Sequence, residues 1–108
     1  MKLQQARKYA LSLPETNEEP HFDYTSFRVK GKMIATSPPG GEYLHVFVDE
    51  ALRTPLIAAH PDIYEPLHWG AKVVGVRVDL ENADAGTVKE LLKQSWMRKA
   101  PKRLVDKA

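Results

Sequence analysis

Apolar and polar residues alternate in several short stretches of this chain, most regularly between residues 72 and 80. Alternation places successive side chains on opposite faces of a strand. One face of this stretch carries Val74, Val76, Val78 and Leu80, and the other carries Gly75, Arg77 and Asp79. The pattern predicts a strand with one buried face.

Related patterns predict four more strands, at residues 25–30, 32–37, 43–48 and 64–68. The Lys30-Gly31 pair between the first two is typical of a tight turn, so these strands should form a hairpin. Pro66 interrupts the last of the four, and because proline cannot donate to a ladder, an edge position is expected. The polar stretch 15–20 is predicted to be a loop.

Helical spacing of apolar residues predicts three helices, over residues 2–13, within 49–60 and over about 84–99. Pro14 should end the first helix, and Asp84 should cap the third. The apolar stripe of the third helix is Val88, Leu91, Leu92 and Trp96. These side chains, including the Trp96 indole, are expected in the core.

The middle helix allows two interpretations because Pro55 falls inside it. Either Thr54 caps a new helix that has Pro55 in its first turn, or a short helix is broken at this point. The first interpretation is favoured, with Leu56, Ile57 and Ala59 packing inward.

The resulting order is α-β-β-β-α-β-β-α. Consecutive hairpins favour a mainly antiparallel sheet, and the helices need one apolar face to cover. The sequence therefore predicts an α+β fold, a two-layer sandwich in which helices cover one face of a five-stranded sheet. At 108 residues, the chain is expected to form a single domain over residues 1–108.

Composition narrows the classes of function. The chain has no cysteine, which removes disulfides, cysteine-ligated zinc and thiol nucleophiles. The start of the chain lacks the pattern of a secretory signal, and no stretch approaches the length of a membrane span, so a cytoplasmic protein without membrane association is expected.

Charge is distributed unevenly. Residues 89–108 carry seven bases, among them Lys107, and two acids, whereas residues 1–88 carry nine bases and twelve acids. A basic end favours an anionic partner, although a solvated helix face would show the same pattern.

Catalytic and metal-binding patterns are weak. The four histidines lack the i, i+4 spacing of a helical metal site, and neither a Gly-x-Ser-x-Gly elbow nor a P-loop is present. Neither an enzyme nor a bound metal or cofactor is therefore predicted.

Basic residues offer the better candidates for a site. The predicted phosphate contacts are Arg28, Lys30, Lys32, Arg77, Lys102 and Arg103, on the hairpins and near the C-terminus. A solvated sheet face is the plainer alternative for the hairpin bases. Trp69 follows a strand and precedes a turn glycine, where it could be exposed for stacking.

Several segments, in their order along the chain, resemble the MmcQ/YjbR family of proposed DNA-binding proteins. They are Ala10-Leu11-Ser12-Leu13-Pro14-Glu15-Thr16, Glu19-Pro20-His21-Phe22, Ser26 through Thr36, His60-Pro61-Asp62, His68-Trp69-Gly70, Val76-Arg77-Val78-Asp79, and Ser95-Trp96 through Leu104. The resemblance implies a two-layer fold similar to type III secretion chaperones and frataxin, and a double-wing DNA-binding role.

The family resemblance supplies no catalytic residues, and it places a surface site at matching positions: His21, Ser26, Arg28, Lys32, Trp69, Lys102 and Arg103. Frataxin-like iron binding does not suit this chain, because residues 2–13 carry bases and no acid.

Three hypotheses result. The first is a nucleic-acid-binding module, with DNA as its partner. The alternative is a protein-interaction or chaperone-like adaptor that uses the exposed sheet face, as a monomer or weak homodimer. The third is a small-ligand pocket formed by His21, Ser26, His68 and Trp69.

Overall fold

The computed structural model describes residues 1–106, so Lys107 of the basic end lies outside the described residues. Within them, four helices and six strands follow one another. In chain order they are α1 (Leu3–Ser12), β1 (Thr16–His21), β2 (Tyr24–Val29), β3 (Lys32–Ser37), β4 (Tyr43–Val46), α2 (Glu50–Ala59), β5 (Tyr64–Trp69), β6 (Lys72–Asp79), α3 (Ala85–Lys99) and α4 (Lys102–Val105). No helix in this part of the chain is long and apolar enough to cross a bilayer.

The strands form one antiparallel sheet in the order β1-β2-β3-β4-β6-β5. The prediction of an α+β fold with an antiparallel sheet is confirmed, and β5 lies at the edge as Pro66 indicated. Lys30 and Gly31 have φ angles of 51° and 79°, which suit the tight turn expected between β2 and β3.

The predicted count of five strands is wrong, because the polar stretch after α1 forms the edge strand β1. Its residues pair with β2 from Thr16 opposite Val29 to His21 opposite Tyr24. Backbone ladders need no apolar side chains, so an edge strand can be polar, and Pro20 is tolerated there because one side of the strand has no partner. The short helix α4 was also not predicted.

The predicted cap of the middle helix is wrong as well. Asp49 caps α2 by accepting a hydrogen bond from the Leu52 backbone N–H at 3.1 Å, and the helix continues through Pro55. Proline lacks the N–H that would bond one turn back, but this helix is on the surface, where water can satisfy the free carbonyl. Leu56 is half-buried as expected, whereas Ala59 is exposed.

Helices cover one face of the sheet, which we call the covered face. The side chains buried there include Phe27, Ile34, Val76, Val78, Leu92 and Trp96. The Trp96 indole N–H donates to the Pro14 carbonyl at 3.0 Å, which ties α3 to the chain after α1. Asp84 caps α3 as predicted, accepting from the Thr87 N–H at 2.9 Å.

Strand order determines which loops meet. Alternate strands of an antiparallel sheet run in the same direction, so β2, β4 and β5 all end at the same end of the sheet. The β2–β3 turn, the segment after β4 and the β5–β6 turn are therefore brought to one end of the molecule.

Candidate nucleic-acid interface

The end of the sheet where β2, β4 and β5 stop carries a cavity of about 530 Å³, which we call the basic depression. Its cationic lining residues are Lys32, Arg53, Lys72, Arg98 and Lys99, and its acidic ones are Asp49 and Glu50. The cations come from β3, α2, β6 and the last turn of α3, so separate parts of the sequence meet here.

The acidic side chains leave most of this charge uncompensated. Asp49 serves as the cap of α2, and within residues 1–106 no carboxylate oxygen lies within 4.0 Å of the side-chain nitrogens of Lys32, Lys72 or Lys99, nor of the Arg98 guanidinium. Arg53 donates instead to the Val48 carbonyl at 2.9 Å.

The pKa of Lys99 shows the effect of placing these positive charges close together. Partial burial lowers the pKa of its ammonium below the usual value, and the nearby positive charges of Arg98 and Lys32 lower it further. Like charges that are held together in this way favour the binding of an anion, because the anion relieves their repulsion.

Aromatic rings form the floor and rim of the basic depression. Phe47 is buried, and its ring lies edge-on to Trp69 with centroids 5.2 Å apart. Lys99 Nζ is 5.9 Å from the Phe47 ring centroid, within the range of cation–π attraction. Trp69 is 54% exposed, as its position before a turn predicted, so part of its side chain is accessible at the rim.

A second cavity, of about 460 Å³, lies on the face of the sheet opposite the helices, and we call it the open-face cavity. It is lined by His21, Phe22, Asp23, Tyr24, Thr36, His45, Leu67, His68 and Trp69. Burial lowers the pKa of His45, with a further contribution from the positive charge of Arg77, which is opposite it in β6. Trp69 lines both cavities, so they adjoin.

The fold and these surfaces can be compared with known proteins. The family model named YjbR matches residues 11–98, which is most of the chain. This chain belongs to the YjbR family. The resemblance identified from the sequence is thereby confirmed.

A solved structure supports the fold of this YjbR domain. The crystal structure of Deinococcus radiodurans protein DR2400, described as a DUF419 domain, is similar with a TM-score of 0.81 and 25% sequence identity. The similarity covers 94% of the present chain and 80% of the other. No match was found among curated proteins.

The bases predicted from the sequence do not converge in the YjbR domain. Lys32 lines the basic depression, but Lys30 and Arg103 lie beside Glu15, at 2.5 and 3.2 Å from its carboxylate. These three residues form the Glu15 cluster. Hydrogen bonds and charge attraction, first from Lys30 and then from Arg103, lower the pKa of Glu15 below its usual value.

Arg28 and Arg77 also have partners. The Arg28 Nε donates to the Ser26 hydroxyl at 2.9 Å, and Glu19 is 4.0 Å away. The Arg77 guanidinium is stacked 3.7 Å above the Tyr43 ring centroid, and Glu65 lies 4.0 Å from it. Both arginines lie on the open face and neither lines the basic depression, while Lys102 is exposed on α4.

Four cationic residues of the basic depression were missed as site residues: Arg53, Lys72, Arg98 and Lys99. Lys72 follows the turn at Gly70, as Lys32 follows Gly31, and this parallel between two hairpins was the available signal. The two turns lie at the same end of the sheet only because of the strand order, which the sequence pattern does not contain.

The predicted surface pocket is partly assembled in the YjbR domain. His21, His68 and Trp69 line the open-face cavity. Ser26 does not, because its side chain is buried and donates to the Glu19 carbonyl at 2.8 Å. Within residues 1–106, no group of three or more His, Cys, Asp or Glu side chains has the geometry to hold a metal ion.

Proposed function

We propose that this YjbR domain is a non-catalytic module that binds nucleic acid, with the basic depression as the contact for the phosphates. The observation that carries the proposal is the convergence of Lys32, Lys72, Arg98 and Lys99 on one cavity, where none of them pairs with a carboxylate of residues 1–106. Cations arranged in this way neutralise phosphates and release counterions, which drives nucleic-acid association.

The two hairpins give the proposed contact its shape. Lys32 begins β3 and Lys72 begins β6, so each hairpin brings a lysine to the same end of the sheet, on either side of the segment after β4. This arrangement fits the double-wing role that the family resemblance implied. A cytoplasmic location, where nucleic acid is accessible, stays a prediction.

The test is fluorescence anisotropy with labelled single-stranded and duplex oligonucleotides over a sodium chloride series. If about three phosphates are contacted, the logarithm of the association constant should fall against the logarithm of salt concentration with a slope of roughly −2 to −3. Absence of binding at low salt, or binding that salt does not weaken, would contradict the proposal.

The alternative function, a protein-interaction adaptor, is less well supported than nucleic-acid binding, because the edges of the sheet are poorly suited to pair with a partner's strand. Partners often add a strand to an exposed edge, and the edge strands here are β1 and β5. Each contains a proline, Pro20 or Pro66, which lacks the N–H that such pairing requires. Light scattering that shows a stable dimer, together with no affinity for oligonucleotides, would favour this alternative.

A further inference from the structure

Trp69 joins the basic depression to the open-face cavity, since its ring lines both. A ligand whose charged part occupies the depression therefore has a neighbouring cavity within reach. The ligand best suited to the two sites has an anionic backbone, which would lie in the basic depression. It also carries a flat, uncharged ring, which would enter the open-face cavity.

Phe22 supplies the second observation. Its side chain is 92% exposed, and its φ of 58° lies in the left-handed region. Phe22 is the first of the two residues that connect β1 to β2, a turn position that glycine usually fills. A bulky aromatic residue is thus held in a strained backbone without gaining burial, as is common where the side chain serves binding.

The open-face cavity combines ring faces with polar groups. Phe22 and Trp69 offer faces for stacking, while the Thr36 hydroxyl and the rings of His45 and His68 offer donors and acceptors. Its volume of about 460 Å³ is in the usual range of ligand pockets. Flat heterocycles with hydrogen-bonding edges, such as nucleobases, match this lining.

We propose that the open-face cavity receives an unpaired base of a single-stranded nucleic acid, whose phosphates lie in the adjoining basic depression. This inference rests on the proposed function and specifies its ligand. Bases inside a duplex are stacked and paired, so they cannot enter the cavity without being extruded, whereas those of a single strand are free to stack on aromatic side chains.

The first experiment compares a labelled short oligothymidine with an abasic strand of the same length, in the same salt, by anisotropy. Both strands carry the same phosphates, but only the first carries bases. Oligothymidine should bind about tenfold more tightly. Equal affinity would overturn the base site while leaving phosphate binding intact. No affinity for either strand would overturn the base site, and it would contradict the proposed function as well only if a duplex also failed to bind.

The second experiment uses Phe22→Gly, with Met97→Ala as the matched control. Met97 is an exposed apolar side chain on α3 that lines neither cavity. Phe22→Gly should weaken oligothymidine binding about tenfold and leave affinity for the abasic strand and for a duplex unchanged, while Met97→Ala should change none of them. Wild-type affinity of Phe22→Gly for oligothymidine would overturn the inference.

Discussion

The two faces of the sheet are built from alternate residues of the same strands, and they differ in what they contain. The covered face carries Val76 and Val78, both fully buried, whereas the open face carries Arg77 between them, with its guanidinium on Tyr43. The difference indicates a division of roles between buried and exposed side chains: substitutions of buried residues on the covered face should change stability most, and substitutions of exposed residues on the open face should mainly change binding.

The largest stability loss is expected from Trp96→Ala. The indole is fully buried, and its N–H donates to the Pro14 carbonyl, so truncation leaves a large cavity and an unpaired acceptor. We expect a loss of about 3–5 kcal/mol in the free energy of unfolding, measured by urea denaturation.

Trp96→Phe serves as the milder variant if the alanine variant does not fold. It should lose less stability than alanine and keep wild-type affinity for oligonucleotides. A loss below about 1 kcal/mol for Trp96→Ala would contradict the importance of this side chain to the covered face.

A smaller loss is expected from Ser95→Ala. The buried Ser95 hydroxyl donates to the Ile34 carbonyl at 2.7 Å, and this carbonyl also accepts from the Phe47 N–H. Because the Ile34 carbonyl keeps the Phe47 N–H as a donor, we expect the free energy of unfolding, measured by urea denaturation, to fall by only about 1 kcal/mol. Oligonucleotide binding should not change. A neutral or stabilising effect would show that this hydrogen bond does not contribute.

On the open face, His45 should make stability depend on pH. Burial and the charge of Arg77 lower its pKa in the folded state, so the unfolded chain binds the proton first as the pH falls. The stability that depends on neutral His45 is fully present above about pH 6.5, the ordinary histidine pKa. It declines as the pH falls from there toward the lowered pKa of the folded state.

The measurement is urea denaturation at several pH values between about 7 and 5, for the wild type and His45→Gln. The variant should lose less stability on acidification than the wild type. If the two proteins show the same pH dependence, His45 is not the group responsible.

The smallest stability change is expected from Phe22→Gly. The side chain is almost fully exposed, so its removal loses little burial, and glycine adopts the left-handed φ without strain. Relief of backbone strain stabilises the folded state, and the added freedom of glycine stabilises the unfolded chain by a similar amount. The free energy of unfolding, measured by urea denaturation, should therefore change by less than about 0.5 kcal/mol. A loss above about 2 kcal/mol would show that Phe22 belongs to the structural framework and that the two faces do not divide stability from binding.

Alternation and helical spacing were sufficient to predict the covered face. The buried residues of β6 and the apolar stripe of α3 both follow from local periodicity, which reflects a face turned toward the core. The strand β1 was missed because an edge strand held by backbone hydrogen bonds needs no apolar pattern, as the mostly polar stretch from Thr16 to His21 shows.

The candidate site was predictable only in part, as Lys30 and Lys32 illustrate. They lie two residues apart on one hairpin, yet Lys30 pairs with Glu15 and Lys32 faces the basic depression. Their surroundings come from distant segments, namely the chain after α1 for Lys30 and the end of α3 for Lys32. Such surroundings depend on strand order and chain path, which local patterns do not contain.

The central claim is that the basic depression, and not basic residues in general, binds phosphates. The most direct measurement compares the double variant Lys32→Gln/Lys72→Gln with Lys30→Gln/Arg103→Gln, which removes the same charge from the Glu15 cluster. Anisotropy with an oligonucleotide at low salt should show at least a tenfold loss of affinity and a shallower salt slope for the first pair, and a loss below about threefold for the second. Equal losses for the two pairs, or a larger loss for the second, would contradict the claim.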